Sequence, residues 1–185
     1  ALPISPTQVQ LIISDLCNQD CSFCAYRMSG NLSNELFGVA REDGSVNNNP
    51  NRMIPYEKIV EILEDAAKMG VKAIQLTGGG EPTVHPKFEQ VVEKCYELGL
   101  EVGLVTNGVK LTPKLIDLLT KAVWVRVSVD ASNVDSYVSI RRVPVMHYNR
   151  VWDNIKALAQ RKKDIGDRKS TRLNSSHVSE SRMPS

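Results

Sequence analysis

No run of the 185-residue chain approaches the ~18 consecutive apolar residues of a membrane-spanning helix, so no membrane association through a helix is expected. No positively charged, then apolar, N-terminal stretch reads as a secretion signal. An excess of one charge sign is nearly lacking: 23 Lys and Arg stand against 21 Asp and Glu. That balance gives no electrostatic ground for binding nucleic acid or anionic lipid. Cysteines number four, three of them crowded together, which is unlike the spread framework of a disulfide-stapled secreted domain. The compartment this suits is the reducing cytoplasm.

Both ends are read as foreign to the domain. Asp167 to His177 matches an in-frame translation of a common sequencing adapter, and Ser181 to Ser185 matches its continuation. Ala1-Leu2-Pro3-Ile4 matches the opposite adapter. Residues 1–4 and 167–185 are therefore set aside, the latter expected to be disordered. Residues 5–166 are taken as a single domain truncated on its C-terminal side. Without the four basic and two acidic residues of the tail, nineteen of each sign remain, and the domain is formally neutral.

The stretch that organises what is left is Cys17-Asn18-Gln19-Asp20-Cys21-Ser22-Phe23-Cys24. Three thiols within eight residues can be aimed at one point by a loop. Thiolate sulfur selects iron–sulfur clusters, zinc or cuprous ions. A four-iron cluster takes four ligands, usually four Cys; with three local thiols, one iron is left open to something else.

Around this loop the chain alternates strand and helix. Gln8–Ser14 reads as a buried strand, Tyr56–Met69 as a helix and Lys72–Leu76 as a strand. A helix opens at Pro86, a strand follows over Glu101–Val105, and Thr112-Pro113 caps a third helix. Val123–Val129 is a fourth strand, and Val151, Ile155 and Leu158 stripe a fourth helix after a polar stretch. Residues 29–51, rich in Asn, Ser and Gly, read as a long loop, either a mobile excursion or a substrate lid. The fold class is α/β, with parallel strands joined by right-handed crossovers. An open doubly wound sheet and a (β/α) barrel both fit, and both gather ligands at the C-terminal strand ends. There the sequence places the three Cys, Thr77-Gly78-Gly79-Gly80-Glu81-Pro82, Thr106-Asn107 and Ser128 with Asp130. The glycine run lacks the Lys and Ser/Thr of a P-loop. Its three glycines would let a ligand approach the backbone, and Glu81 adds a carboxylate suited to an ammonium group.

Cys17, Cys21, Phe23 and Cys24 match C-x3-C-x-Φ-C with Φ aromatic, and Gly79, Gly80, Glu81 and Pro82 match G-G-E-P. In these the chain resembles the radical S-adenosylmethionine (SAM) superfamily, from about Gln8 to Ala159. The resemblance implies a partial parallel (β/α) barrel, with about four β/α units present here. It implies that Cys17, Cys21 and Cys24 hold a 4Fe-4S cluster whose fourth iron is chelated by SAM. One electron from a flavodoxin- or ferredoxin-type donor would then cleave SAM to a 5′-deoxyadenosyl radical that abstracts hydrogen from a substrate. By position it implies Gly79, Gly80 and Glu81 at the methionine amino group, Phe23 near the adenine and Ser128 at the ribose or carboxylate. Thr106, Asn107 and Asp130 would point toward cofactor or substrate, unless Asp130 caps the following helix. A peptide and a cofactor or nucleotide precursor both fit as substrate, the first slightly preferred.

Other residues carry duller expectations. Cys95 sits on an apolar helix stripe and reads as a buried structural thiol. His85 is expected to cap a helix or lie exposed, His147 to belong to a loop, and Lys162 and Lys163 to form a solvated helix end. Arg141 and Arg142 would either grip a carboxylate or face solvent. The rival assignments are a structural zinc site and an iron–sulfur module without SAM chemistry. Zinc prefers paired C-x2-C units with a closed set of four ligands; one such pair is present and no His follows at finger spacing.

Overall fold

The computed structural model describes residues 6–27 and 53–166. The loop expected at 29–51 and the flanks 1–4 and 167–185 lie outside the described residues. Four parallel strands form one sheet: β1 (Gln8–Ile12), β2 (Ala73–Thr77), β3 (Glu101–Thr106) and β4 (Trp124–Val127), in the order β1-β2-β3-β4. The helices are α1 (Tyr56–Lys68), α2 (Phe88–Glu97), α3 (Pro113–Leu119), α4 (Val134–Arg141) and α5 (Val145–Asp164). A doubly wound sheet reverses its strand order at a switch point. This order runs straight across, which is the arc of a (β/α) barrel.

The register explains the hydrophobic pattern. Leu11 faces Leu76, Leu76 faces Leu104, and Leu104 faces Val125, so four apolar side chains form one buried row across the sheet. Burying each contributes ~1.5–3 kcal/mol. The neighbouring row is Gln10, Gln75, Gly103 and Trp124. There the Trp124 ring lies over Gly103, whose added Cβ would come within 2.5 Å of the indole. The helices meet the sheet through Ile59, Leu63 and Ala66 of α1, Val91, Val92 and Cys95 of α2, and Leu115, Ile116 and Leu119 of α3, all buried. Thr112 caps α3 as its sequence implies, the hydroxyl accepting the Leu115 N–H at 3.1 Å.

Four expectations need correction. The first strand is shorter than Gln8–Ser14 and lies at the sheet edge: Gln8 and Gln10 are exposed and Ile12 is 38% exposed. The exposed residues alternate with Val9, Leu11 and Ile13, so one face of the strand is covered and the other is open. The polar stretch after β4 contains α4, which Asn133 caps by accepting the Ser136 N–H at 2.9 Å. This helix buries Tyr137 and Arg141, one turn apart, so it carries no apolar stripe to be seen in sequence. His147 lies in the first turn of α5, which begins at Val145, and not in a loop. Lys162 is only 5% exposed, while Lys163 is exposed. Lys162 continues the stripe of Val151, Ile155 and Leu158, so it faces the body of the protein.

Candidate functional site

Every strand sends its C-terminal end to the same rim. The loop after β1, the glycine turn after β2, Thr106-Asn107 after β3 and Ser128 with Asp130 after β4 enclose one pocket of about 210 Å3. Cys17, Cys21 and Cys24 all line it, each half-buried and unbridged. Phe23 lines it as well, and the residue is 52% exposed.

The first two loops are stitched together by backbone. Gly80 N–H donates to Ser14 O at 3.1 Å and Glu81 N–H to Leu16 O at 2.8 Å. A Cβ on Gly80 would overlap the Leu16 carbonyl oxygen and the Asp15 backbone carbon. Glycine here lets the cysteine loop lie directly on the turn after β2. At Gly79 the nearest obstacle is the Asp15 carboxylate, and at Gly78 the Gly80 carbonyl. The glycine run therefore first serves the approach of chain to chain, beside any approach of a ligand.

Glu81 ties the turn to β3. Its Oε1 accepts the Thr106 hydroxyl at 2.6 Å, the Thr83 hydroxyl at 2.7 Å and the Thr83 N–H at 3.2 Å; its Oε2 accepts the Asn107 N–H at 2.6 Å. The residue is 3% exposed. Burial pushes the carboxyl above its usual range, against these four donors, which hold it down. Two of the donors are backbone N–H groups that can only donate, which suits a carboxylate. Thr106 thus contributes its hydroxyl to Glu81 and its backbone to the rim. Asn107 extends the tie, its Nδ2 donating to Asn18 Oδ1 at 2.6 Å and lying 3.9 Å from Cys17 Sγ.

On the other side Arg141 reaches in from the end of α4. The guanidinium donates to Gln19 Oε1 at 2.9 Å, to Ser128 O at 2.7 Å and to Asp130, and Nη1 lies 3.5 Å from Cys21 Sγ. It also sits 5.5 Å from the Phe23 ring centroid and 5.8 Å from that of Tyr137. Burial raises the Cys21 thiol's pKa, and the Arg141 charge and hydrogen bond draw it back. Arg141 Nε is buried without a partner. The last carbonyls of α4 hold the cysteine loop itself: Ser22 N–H donates to Ile140 O at 2.9 Å and Asp20 N–H to Arg141 O at 3.2 Å. Of the two arginines, then, Arg141 is in the site, and Arg142 is on the surface near Asp20 at 3.5 Å. Asp130 does not cap α4; Asn133 does, and Asp130 pairs with Arg141.

His85 and Cys95 lie outside the pocket. His85 is buried, its Nε2 3.0 Å from Ile54 O and its Nδ1 accepting the Lys87 N–H at 3.2 Å. The ring braces the turn before α2, whose N-cap is Lys87 without a side-chain cap bond, so His85 is neither the helix cap nor exposed, contrary to both expectations. Cys95 is fully buried, and burial pushes its thiol up to about 12. Gln19, Tyr137 and Arg141 are the participants that sequence reasoning missed or left undecided. Gln19 Nε2 donates to the Tyr137 hydroxyl at 2.8 Å, across 118 residues, a separation with no local signature.

The donor set can be tested against the group its spacing suggests. A four-iron cluster takes one thiolate per iron, and Cys17, Cys21 and Cys24 share one cavity, so the residues present fit such a cluster with one iron left to another ligand.

Comparison with known proteins agrees. The chain is 27% identical over 140 residues to an S-adenosylmethionine-dependent nucleotide dehydratase of Flammeovirga pacifica, covering 75% of this chain and 43% of that one. It is 30% identical over 137 residues to a GTP 3′,8-cyclase of Staphylococcus aureus, covering 71% and 36%. Its fold is similar to that of Streptococcus suis SuiB bound to precursor peptide SuiA, with TM-score 0.62, 19% identity, and 85% of this chain and 31% of that one covered. The chain spans less than half the length of each of these proteins. Residues 11–171 match the Radical SAM superfamily, and the chain belongs to it.

Proposed function

We propose that this domain is the core of a radical SAM enzyme, and that Cys17, Cys21 and Cys24 hold the 4Fe-4S cluster its superfamily uses together with SAM. When bound, the reduced cluster supplies the electron that cleaves SAM to a 5′-deoxyadenosyl radical, which takes hydrogen from a substrate. The observation that carries this reading is the meeting of three thiols, the glycine–glutamate turn and a buried arginine in one pocket.

The chain's own residues then have distinct tasks. Gly79 and Gly80 offer backbone to the methionine amino group. Glu81 Oε2 accepts one bond in the structure and keeps a lone pair for that group, while the other bonds to its carboxylate hold the turn in place. Arg141, with one buried N–H unpaired, suits the methionine carboxylate. Phe23 flanks the adenine, Ser128 the ribose, and Thr106 acts through Glu81. The electron comes from a flavodoxin- or ferredoxin-type donor, and the cytoplasm is the proposed compartment; among the described residues no helix is long and apolar enough to cross a membrane. The named sequence relatives act on nucleotides and SuiB was solved with a peptide, so a cofactor or nucleotide precursor stands beside a peptide as substrate.

The test is reductive SAM cleavage by the full chain after anaerobic loading with iron and sulfide. 5′-Deoxyadenosine should form with the native chain and not with Cys17→Ala, Cys21→Ala or Cys24→Ala. Equal yield from any of these variants would remove that thiol from the site.

A further inference from the structure

A second pocket, of about 510 Å3, lies outside the site above. Its walls include Asn18 of the cysteine loop, Lys110 and Thr112 from the β3–α3 connection, and His147, Arg150 and Asn154 of α5. The volume lies within the usual range for small-molecule sites. No acidic residue lines it. Among the described residues neither Lys110 nor Arg150 enters an ion pair. Two cations that line one concavity without an ion pair among the described residues repel each other, and a bound anion would turn that repulsion into attraction.

The neighbouring groups point the same way. Asn154 is fixed by donating to Gly108 O at 2.8 Å and Val109 O at 3.1 Å, which makes that wall rigid. His147 Nδ1 is buried with no partner, and burial, followed by the Arg150 charge, disfavours protonation of the ring. The pocket also touches the cluster loop. Asn18 Oδ1 receives the Asn107 Nδ2 hydrogen bond, and Asn107 lines the first pocket beside Cys17. This one amide pair forms a wall between the two cavities.

We propose that this pocket is a second binding site, for a compact oxyanion: a phosphate group, free or carried on a small molecule. Lys110 and Arg150, both lining the pocket, hold it, Arg150 with a planar fork suited to two phosphate oxygens. Occupancy is felt by Asn18, and through it by the loop that carries Cys17.

The experiment follows the His147 ring resonances of the metal-free full chain by NMR, assigned with His147→Gln. Inorganic phosphate and adenosine monophosphate are titrated separately, with chloride at matched ionic strength as the control for screening. The expected result is a saturable phosphate-dependent shift, weakened about tenfold or more in Lys110→Gln/Arg150→Gln, since each lost charge-assisted hydrogen bond is worth about a factor of ten. Lys68→Gln, at the far end of α1, should leave it unchanged. Tighter binding of the nucleotide assigns the anion to a carried phosphate; equal binding assigns it to the free ion. No saturable shift with either probe, or an undiminished shift in the folded double variant, would overturn the proposal. The metal-free chain is used throughout, so a failed cluster assignment would not affect the result.

Discussion

Glu81 shows how much of this site is done by side chains that hold other parts of the chain. Four donors meet its carboxylate, and an amide in its place must turn an NH2 toward one of them. Glu81→Gln is expected to lower stability by about 1–3 kcal/mol and to weaken SAM binding with the cluster intact. Thermal melts of the metal-free chain and SAM titration of the loaded chain check the two halves; unchanged melting would mean the carboxylate is not the tie described. Gly80→Ala should cost about 1–3 kcal/mol or more, because the new methyl meets backbone and not a movable side chain. Cys95 offers the opposite case. Its thiol is neutral in the folded protein to about pH 12, whereas an exposed thiol ionises near ~8.5. Its contribution to stability is therefore full below that lower value and is lost as pH climbs toward the higher one. Iodoacetamide at pH 8 should label Cys17, Cys21 and Cys24 of the metal-free native chain, and Cys95 only on unfolding. Labelling of Cys95 at the same rate would contradict its burial. The three clustered thiols and the glycine–glutamate motif were legible because their spacing is local. The Glu81 bonds to Thr106 and Asn107 were not, because they cross 25 and 26 residues.

At the scale of elements, α4 is the piece that sequence periodicity could not reveal. Its buried positions are one tyrosine and one arginine, and a polar helix that packs by hydrogen bonds leaves no hydrophobic stripe. Yet its C-terminal carbonyls receive two N–H groups of the cysteine loop, and its last residue is Arg141. The helix ends at Arg142, held at φ +51 in the left-handed region, where a side chain costs about 1 kcal/mol relative to glycine. The Arg142–Asp20 pair is long and exposed at both ends, so it offsets little of that cost. Arg142→Gly should therefore stabilise the chain by a few tenths to about 1 kcal/mol, read as a rise in melting temperature. A fall would show that the arginine side chain matters more than its strained backbone. The other helices were readable for the converse reason. Ile59, Leu63 and Ala66, or Val91, Val92 and Cys95, recur at helical spacing because they cover a sheet. The error at Lys162 came from reading charge as exposure on a face that the helical period already assigned to the interior.

For the whole molecule, strand order decides between the two architectures the sequence allowed. An arc running β1-β2-β3-β4 brings four strand ends to one rim. That is why residues from Cys17 to Arg141, distant in sequence, line a single pocket. Alternation of strand and helix was legible except at α4; the direction of the arc was not, since neither periodicity nor turn chemistry states which strands are neighbours. The account as a whole stands on an iron–sulfur cluster with one position left for SAM. The direct measurement is the electron paramagnetic resonance spectrum of the reduced, anaerobically loaded full chain, before and after SAM is added. The account predicts about four irons per chain, lost in each of the Cys17, Cys21 and Cys24 variants, retained in Cys95→Ala, and a signal whose g-values change on adding SAM. A colourless chain that takes up zinc instead, or a cluster signal indifferent to SAM, would contradict it.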